Sequence, residues 1–309
     1  MSSLKEIKTR INSVRSTLKI TSAMKMIASA KLRKAQNAIA GKLPYEQQLY
    51  RILAGLLQDD DLQKALHDEL GFGGHSPVVL QDIHMDDLPS VQTVSRVAIV
   101  VFSSNASLCG AFNANVIKKF TATLKALLDR GYAPEDIDVY AVGKKVVEVA
   151  RRGGCILKSD LSYLADRPDY NGAADLADEL VDAFTEGTVS QVMLIYSHFA
   201  SAVSQPVIFD NYLPLALHDF DEGAEPVDFI LEPDPLTIVR ELLPQVLLLK
   251  MYTVLLDASA AEHAARTMAM QIASDNAQEL ISDLTLAYNK GRQQEITAEI
   301  LDLVGGNMV

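Results

Sequence analysis

The chain has 309 residues, 49% apolar and 22% charged, which sets a prior of one or two domains with a real core. Trp is absent and aromatics are only 6%, which argues against a ring-stacking surface; the two cysteines, Cys109 and Cys155, form no C-x-x-C pair and read as ordinary thiols of a reducing compartment. The net charge of −12 conceals a polarity, because residues 1–42 carry ten Lys or Arg and one acid, Glu6, so one end calls for an acidic partner: nucleic acid, an anionic membrane or an acidic protein surface.

Charges begin at Lys5 with no apolar run behind them, so no signal peptide is expected. The longest apolar run, Val246 to Leu256, is broken by Lys250 and Tyr252 and falls short of the ~18 residues a membrane span needs, so a soluble or peripheral protein is expected. Leu4, Ile7, Ile11, Val14 and Leu18 alternate spacings of three and four, the seam of a helix lying along another helix. After Leu18 the apolar stripe shifts to Ile20, Met24, Ile27 or Ala28, Leu32, Ala35 and Ile39, as a stutter would produce. Nothing from Ser2 to Ala40 breaks a helix, and such a rod would be roughly 55 Å long at the helical rise per residue. Gly41 and Pro44 mark an interruption, after which Tyr45 to Leu57 resumes as helix. Residues 59–95 are acidic and punctuated by Gly and Pro, a variable excursion.

The period then changes. Val97–Phe102 is a continuous apolar run, read as a strand covered on both faces. A helix is predicted over Phe112–Leu128, a strand over Ile137–Val142, a helix over Lys144–Arg151 and a short strand over Cys155–Leu157. A helix over Ala173–Phe184 and a buried strand over Val192–Tyr196 follow; Val207–Leu213 comes too soon for a crossover and is predicted antiparallel at an edge. Leu215 to Pro235 is a linker with seven acids, three prolines and no Lys or Arg. Asp234 and Pro235 form an N-cap and a first-turn proline. Beyond them Leu242, Val246, Leu249, Thr253, Leu256, Ala260, His263, Thr267, Met270, Ser274, Ala277, Ile281, Leu284 and Tyr288 form a second seam, with Pro244 expected to kink the helix or delay its start. Fully helical, residues 236–303 would span roughly 100 Å.

The fold class that follows is α/β: a Rossmann-like α/β domain inserted between two long terminal helices that pair as an antiparallel coiled coil. The expected boundaries are 1–57 for the first shaft helix, 58–95 for the excursion, 96–216 for the α/β foot, 217–235 for the linker and 236–309 for the second shaft helix.

Chemistry is hard to place on this chain. The loop from Ser103 to Asn113 carries a single glycine, Gly110, and neither G-x-G-x-x-G nor G-x-x-x-x-G-K-[ST], so it is no phosphate cradle. Cys109 has no local signature of a nucleophile with a base. His263 occupies a seam position and reads as a packing residue, and the acids of residues 217–235 lack the spacing of a cation cage. No catalytic residue, cofactor or metal is expected. The basic first helix is interleaved with small residues, Thr21-Ser22-Ala23 and Ala28-Ser29-Ala30, and with flexible Met24 and Met26, a surface able to slide inside a sleeve.

Lys19 to Lys34, reading KITSAMKMIASAKLRK, resembles the first-helix signature of the ATP synthase gamma family. Leu108-Cys109-Gly110 through Asn113 is similar to that family's motif after its first strand, and Glu232-Pro233-Asp234-Pro235 to its entry into the last helix. Ala264 to Met270, Asp275-Asn276, Tyr288 to Gln293 and Ile296 to Ile300 match its C-terminal signature in order. The likeness spans nearly the whole chain and is weakest over residues 59–95. Three departures stand out: Ser104-Asn105-Ala106-Ser107 where Arg-Gly is more usual, Gly291 where Ala is usual, and a long acidic segment from Asp59 to Asp87.

The resemblance implies a non-catalytic rotor subunit of a proton-translocating ATP synthase on the cytoplasmic face of a bacterial inner membrane, peripheral to it. Its partners would be the alpha and beta subunits, a small epsilon subunit and the membrane c-ring, with no nucleic acid. It implies that Met24, Lys25 and Arg266 meet acidic levers of the catalytic subunits, and that Arg292, Gln293, Thr297 and Glu299 meet their loops near the shaft tip. Phe229, Leu231 and Glu232 would touch the membrane ring. The rivals are a cytoplasmic α/β nucleotide-binding protein with coiled-coil arms and a basic-helix nucleic-acid binder, the latter requiring strongly salt-dependent DNA affinity.

Overall fold

A computed structural model describes residues 3–56, 78–79, 96–216 and 231–306. The chain divides into two compact units, residues 1–30 with 266–309, and residues 31–265. The first is a helical pair. Helix α1 runs Leu4–Leu56 and the last helix, α6, runs Pro235–Gly306; their outer parts form this unit. Three side-chain meetings set the direction: a Cβ on Gly291 would lie 2.8 Å from Leu4 Cδ2, Thr21 Oγ1 lies 2.8 Å from Ser274 Oγ, and Lys25 Nζ donates to Gln271 Oε1. One residue number rises as the other falls, so the helices are antiparallel. That register sets Ile11 level with Leu284, Val14 with Ile281 and Leu18 with Ala277, each burying part of the apolar seam that neither helix could cover alone.

The stutter expected after Leu18 is absent. Ile20 and Ile27 are each 60% exposed, and the buried positions are Thr21 and Ala28. The three–four spacing therefore continues unbroken through Thr21, Lys25 and Ala28. An apolar-only reading missed it because two consecutive seam positions are polar.

The second unit is built on a five-stranded sheet, ordered β4-β3-β2-β5-β6. Strands β2 (Arg96–Phe102), β3 (Ile137–Val142), β4 (Ile156–Asp160) and β5 (Val189–Ser197) run parallel, and β6 (Val207–Leu213) closes one edge antiparallel to β5. Between them lie α2 (Phe112–Asp129), α3 (Lys144–Arg152), α4 (Ser162–Asp166) and α5 (Tyr170–Thr185). A short parallel bridge joins β1 (Val78–Val79) to β7 (Leu215–Ala216).

Alternation along the strands sorts their side chains into two cores. Val97, Ile99 and Val101 face α2 and α3 through Val116, Phe120 and Val146; Ala98, Val100 and Phe102 face α5 and the inner parts of α1 and α6 through Leu180, Leu53 and Val254. Both faces are covered, which is why the strands read as continuous apolar runs. The buried Tyr212 hydroxyl donates to Leu247 O at 2.9 Å, tying β6 to α6 without leaving a polar group stranded.

Pro44 does not interrupt α1, and Pro244 does not delay the start of α6. Pro44 lies inside α1 and Pro244 inside α6, and both are exposed. Ala40 and Arg240, whose carbonyls face the two prolines one turn on, are exposed as well, so those carbonyls lie on the solvent side of their helices. The cap at the start of α6 forms as expected: Asp234 accepts from Thr237 N at 2.9 Å and Thr237 Oγ1 at 2.7 Å, which holds its carboxyl below the usual range. By length and composition α6 includes a stretch able to cross a membrane, yet more than half of that stretch is buried within the fold, the behaviour of a core helix.

Candidate functional site

Met24, Lys25 and Arg266 fall within about one turn of one another along the helical pair. All three are half-buried, and the register sets Arg266 opposite Ser29, roughly one turn of helix from Lys25. Lys25 is not a free arm. Its ammonium donates to Gln271 Oε1, while Gln271 Nε2 donates to both carboxylate oxygens of Asp275 at 2.8 Å. Asp275 thereby fixes which way the Gln271 amide faces, and the amide oxygen orients the lysine. One turn away the Thr21–Ser274 bond makes a second polar rung. Along α1 the cations Lys5, Lys8, Arg10, Arg15, Lys19, Lys31, Arg33 and Lys34 are all exposed.

Arg292, Gln293, Thr297 and Glu299 are exposed. The reason is geometric: Gly291 already lies level with Leu4, so α6 overruns the start of α1 and nothing on that helix remains to cover it. Ile296, Ile300, Leu301 and Leu303 are bared by the same overrun. Leu231 is half-buried against the second unit's core and Glu232 is exposed ahead of Pro233; Phe229 lies outside the described residues, as do nearly all of residues 58–95 and most of residues 217–235.

The loop after β2 is a hydrogen-bonded knot. Ser104 N donates to Asn113 Oδ1 at 3.0 Å, and Asn113 Nδ2 donates to Ser104 Oγ at 2.8 Å and to Cys109 Sγ at 3.1 Å. Cys109 is buried among Ser104, Ala106 and Asn113, none of which is a base, so this thiol is structural. Asn105 lies in the same loop, two residues before Ser107. It donates to Ser162 O and Asp166 Oδ2 at 2.7 and 2.8 Å and accepts from Lys144 N at 3.1 Å, clasping α3 and α4 to the loop. The knot forces Leu108 into the left-handed region, φ 68°, and presents it 60% exposed. Nothing in the residue pattern announced that exposed leucine. Gly143, φ +106°, is required where the same loop crosses, since a Cβ there would stand 2.2 Å from Ser103 O.

Doubly wound sheets take ligands in the crevice at the carboxyl ends of their strands, where the strand order reverses. Here the chain fills that crevice itself. At the carboxyl ends of β2 and β3, Leu255, Ala258, Ser259 and Glu262 of α6 close over Phe102, Ser103, Phe112 and Val142, leaving a void of about 10 Å³, the size of one water. Beyond the ends of β2 and β5, where the order reverses, Ala261 and Ala265 of α6 cluster with Cys109, Phe112 and Phe199. A nucleotide has no room there. His263 is buried on the α6 seam, as its spacing required, and among the described residues no group of His, Cys, Asp or Glu is placed to hold a metal ion.

The ATP synthase family profile matches residues 3–308. The chain is 47% identical over 312 residues to the ATP synthase gamma chain of Bacteroides fragilis, covering all of both chains. It is 39% identical over 306 residues to that of Flavobacterium johnsoniae, covering 99% and 98% of the two. The chain belongs to the ATP synthase gamma family. The fold of this gamma-family chain is also that of the rotor of Euglena gracilis mitochondrial ATP synthase, at a TM-score of 0.58 and 15% identity over 95% of this chain and 98% of that one. With the family settled, the filled crevice has a simple meaning: the Rossmann-like sheet of this gamma-family member serves as a scaffold on which α6 is seated.

Proposed function

We propose that this chain is the central rotor of a proton-translocating ATP synthase, a non-catalytic subunit that transmits rotation between a membrane ring and the catalytic subunits. The observation that carries the reading is the helical pair: two antiparallel helices locked at a polar level, cationic on the outside, with a bare apolar tip. The alpha and beta subunits would surround the pair, and an epsilon subunit and the c-ring would sit against the second unit. The assembly would lie peripherally on the cytoplasmic face of the inner membrane.

In this reading Met24, Lys25 and Arg266 meet acidic levers of the catalytic subunits. Lys25, already oriented by Gln271, presents its charge at small further entropic cost. Arg292, Gln293, Thr297 and Glu299 bind loops at the tip, and Phe229, Leu231 and Glu232 bind the membrane ring. A rotor does work only by touching the three catalytic subunits differently, so that each favours a different conformation and nucleotide affinity at a given angle. Charge sets orientation and encounter, each solvated pair contributing up to about 1 kcal/mol.

The test is affinity purification of the tagged chain from gently solubilised membranes. Two nucleotide-binding subunits are expected in excess over the bait, with ATPase activity that is lost on deleting residues 266–309. Recovery of the chain alone, or with nucleic acid and no ATPase, would overturn the proposal.

A further inference from the structure

Within the second unit a cavity of about 320 Å³ opens between the inner end of α1, strands β5 and β6 and the middle of α6. Leu43, Tyr50, Tyr196 and Val254 give it apolar walls, and three acids reach into it. Two of those acids are matched. Asp210 Oδ2 lies 3.0 Å from Lys250 Nζ, which also donates to Asn211 O at 3.1 Å. Asp257 lies 2.7 Å from His198 Nδ1 and accepts from Phe199 N at 3.0 Å.

The third acid is not matched. Glu46 Oε2 is buried and has no hydrogen-bond partner among the described residues, and the same holds for Thr253 Oγ1 on the facing helix. The Thr253 hydroxyl is near the carboxyl but out of hydrogen-bond geometry. Burial pushes the Glu46 carboxyl above its ordinary value, only partly offset by Thr253 and the Lys250 ammonium. A buried acceptor left unmade is costly, and here two stand side by side in a space large enough for a small ligand. Even with His198 protonated, three carboxylates outnumber two cations, so an anion is repelled and a cationic donor is drawn in.

We propose that this cavity binds a guanidinium or alkylammonium group, its head on Glu46 Oε2 and Thr253 Oγ1 and its stem against Leu43, Tyr50 and Val254. Lys250, whose charge acts on the same carboxyl, is then the internal competitor for it. The site makes no use of the helical pair and goes beyond the rotor reading.

The experiment titrates n-butylguanidinium, and n-butylurea as its uncharged match in shape, into the full chain by calorimetry. The guanidinium is expected to bind and the urea to bind roughly tenfold or more weakly, the difference a charge-assisted bond makes. Glu46→Gln, with folding checked by circular dichroism, is expected to weaken the guanidinium roughly tenfold or more. Lys250→Met is expected to tighten it, an effect in the opposite direction that damage to the fold does not mimic. Equal affinity for the two probes, no binding of either, or no change in Glu46→Gln would overturn the proposal. A second titration uses the assembled complex. Retained binding identifies a small molecule as the source of the cation; binding present in the free chain and lost in the complex identifies a basic side chain of a neighbouring subunit.

Discussion

Replacing Thr21 by Val keeps the shape of the side chain and removes one hydroxyl from the helical pair. Thr21 Oγ1 lies 3.2 Å from Leu18 O and 2.8 Å from Ser274 Oγ. A hydroxyl has one proton, and that of Thr21 goes to the carbonyl, so Ser274 is the donor across the seam. Thr21→Val therefore strands a donor on a residue only 9% exposed, which costs about 1–3 kcal/mol. Ser274 can turn its proton to the carbonyl one helical turn back, which favours the lower half of that range. Ser274→Ala is milder, because the Thr21 proton keeps its carbonyl and only one net bond is lost, about 0.5–1.5 kcal/mol. The double variant strands nothing and is expected within about 1 kcal/mol of wild type. Urea denaturation of the four proteins, followed by circular dichroism, measures the cycle. If Ser274→Ala costs more than Thr21→Val, or if the two costs simply add, the donor assignment is wrong.

Gly291→Ala sets two terms against each other: helix propensity favours Ala by about 1 kcal/mol, whereas its Cβ would meet Leu4 Cδ2 at 2.8 Å and force an off-rotamer leucine costing about 0.5–1.5 kcal/mol. Near neutrality is expected in the wild type and a clear gain in the Leu4→Ala background; equal gains in both, by denaturation, would remove the contact from the account. Glu46 has its folded pKa raised above 4.5, so its share of stability is present in acid and lost as pH rises through the folded value. Glu46→Gln should accordingly raise the melting temperature at neutral pH and lose that advantage in acid, and a pH-independent difference would contradict it. Leu53→Ala empties a site with 0% exposure where α1 enters the sheet's core, and a loss of about 2–5 kcal/mol is expected in the denaturation midpoint; a loss under about 1 kcal/mol would show that the core closes around the hole.

Much of this architecture can be read along the chain because its signals are local and periodic. Seam residues from Leu242 to Tyr288 recur every three or four positions, and that spacing survives into the structure as buried or half-buried positions throughout. Strand runs such as Val97–Phe102 are apolar throughout because both faces of the sheet are covered, and Asp234 caps its helix through atoms three residues away. The motifs that carry the family likeness are local too, so membership could be anticipated from residues alone.

What the chain could not disclose lies between residues far apart in number. Whether Ile20 or Thr21 enters the seam depends on Ser274 standing opposite, 253 positions away, and hydrophobicity alone chose the wrong one. Pro44 and Pro244 sit on exposed turns of continuous helices, and which turn is exposed is decided by packing. Asn105 gains its meaning from Ser162, Asp166 and Lys144, and Leu108 is exposed because the knot beneath it is tied by Asn113. The ligand crevice of the sheet is filled by α6, and the unmatched carboxyl of Glu46 exists only because the packing of α1 against α6 and the sheet buries it. Most of the helices and strands, and the faces of them that must be covered, follow from spacing along the chain. Which polar groups are partnered is settled by packing, because a hydrogen bond requires its donor and acceptor within about 3 Å and periodicity says nothing of what stands opposite.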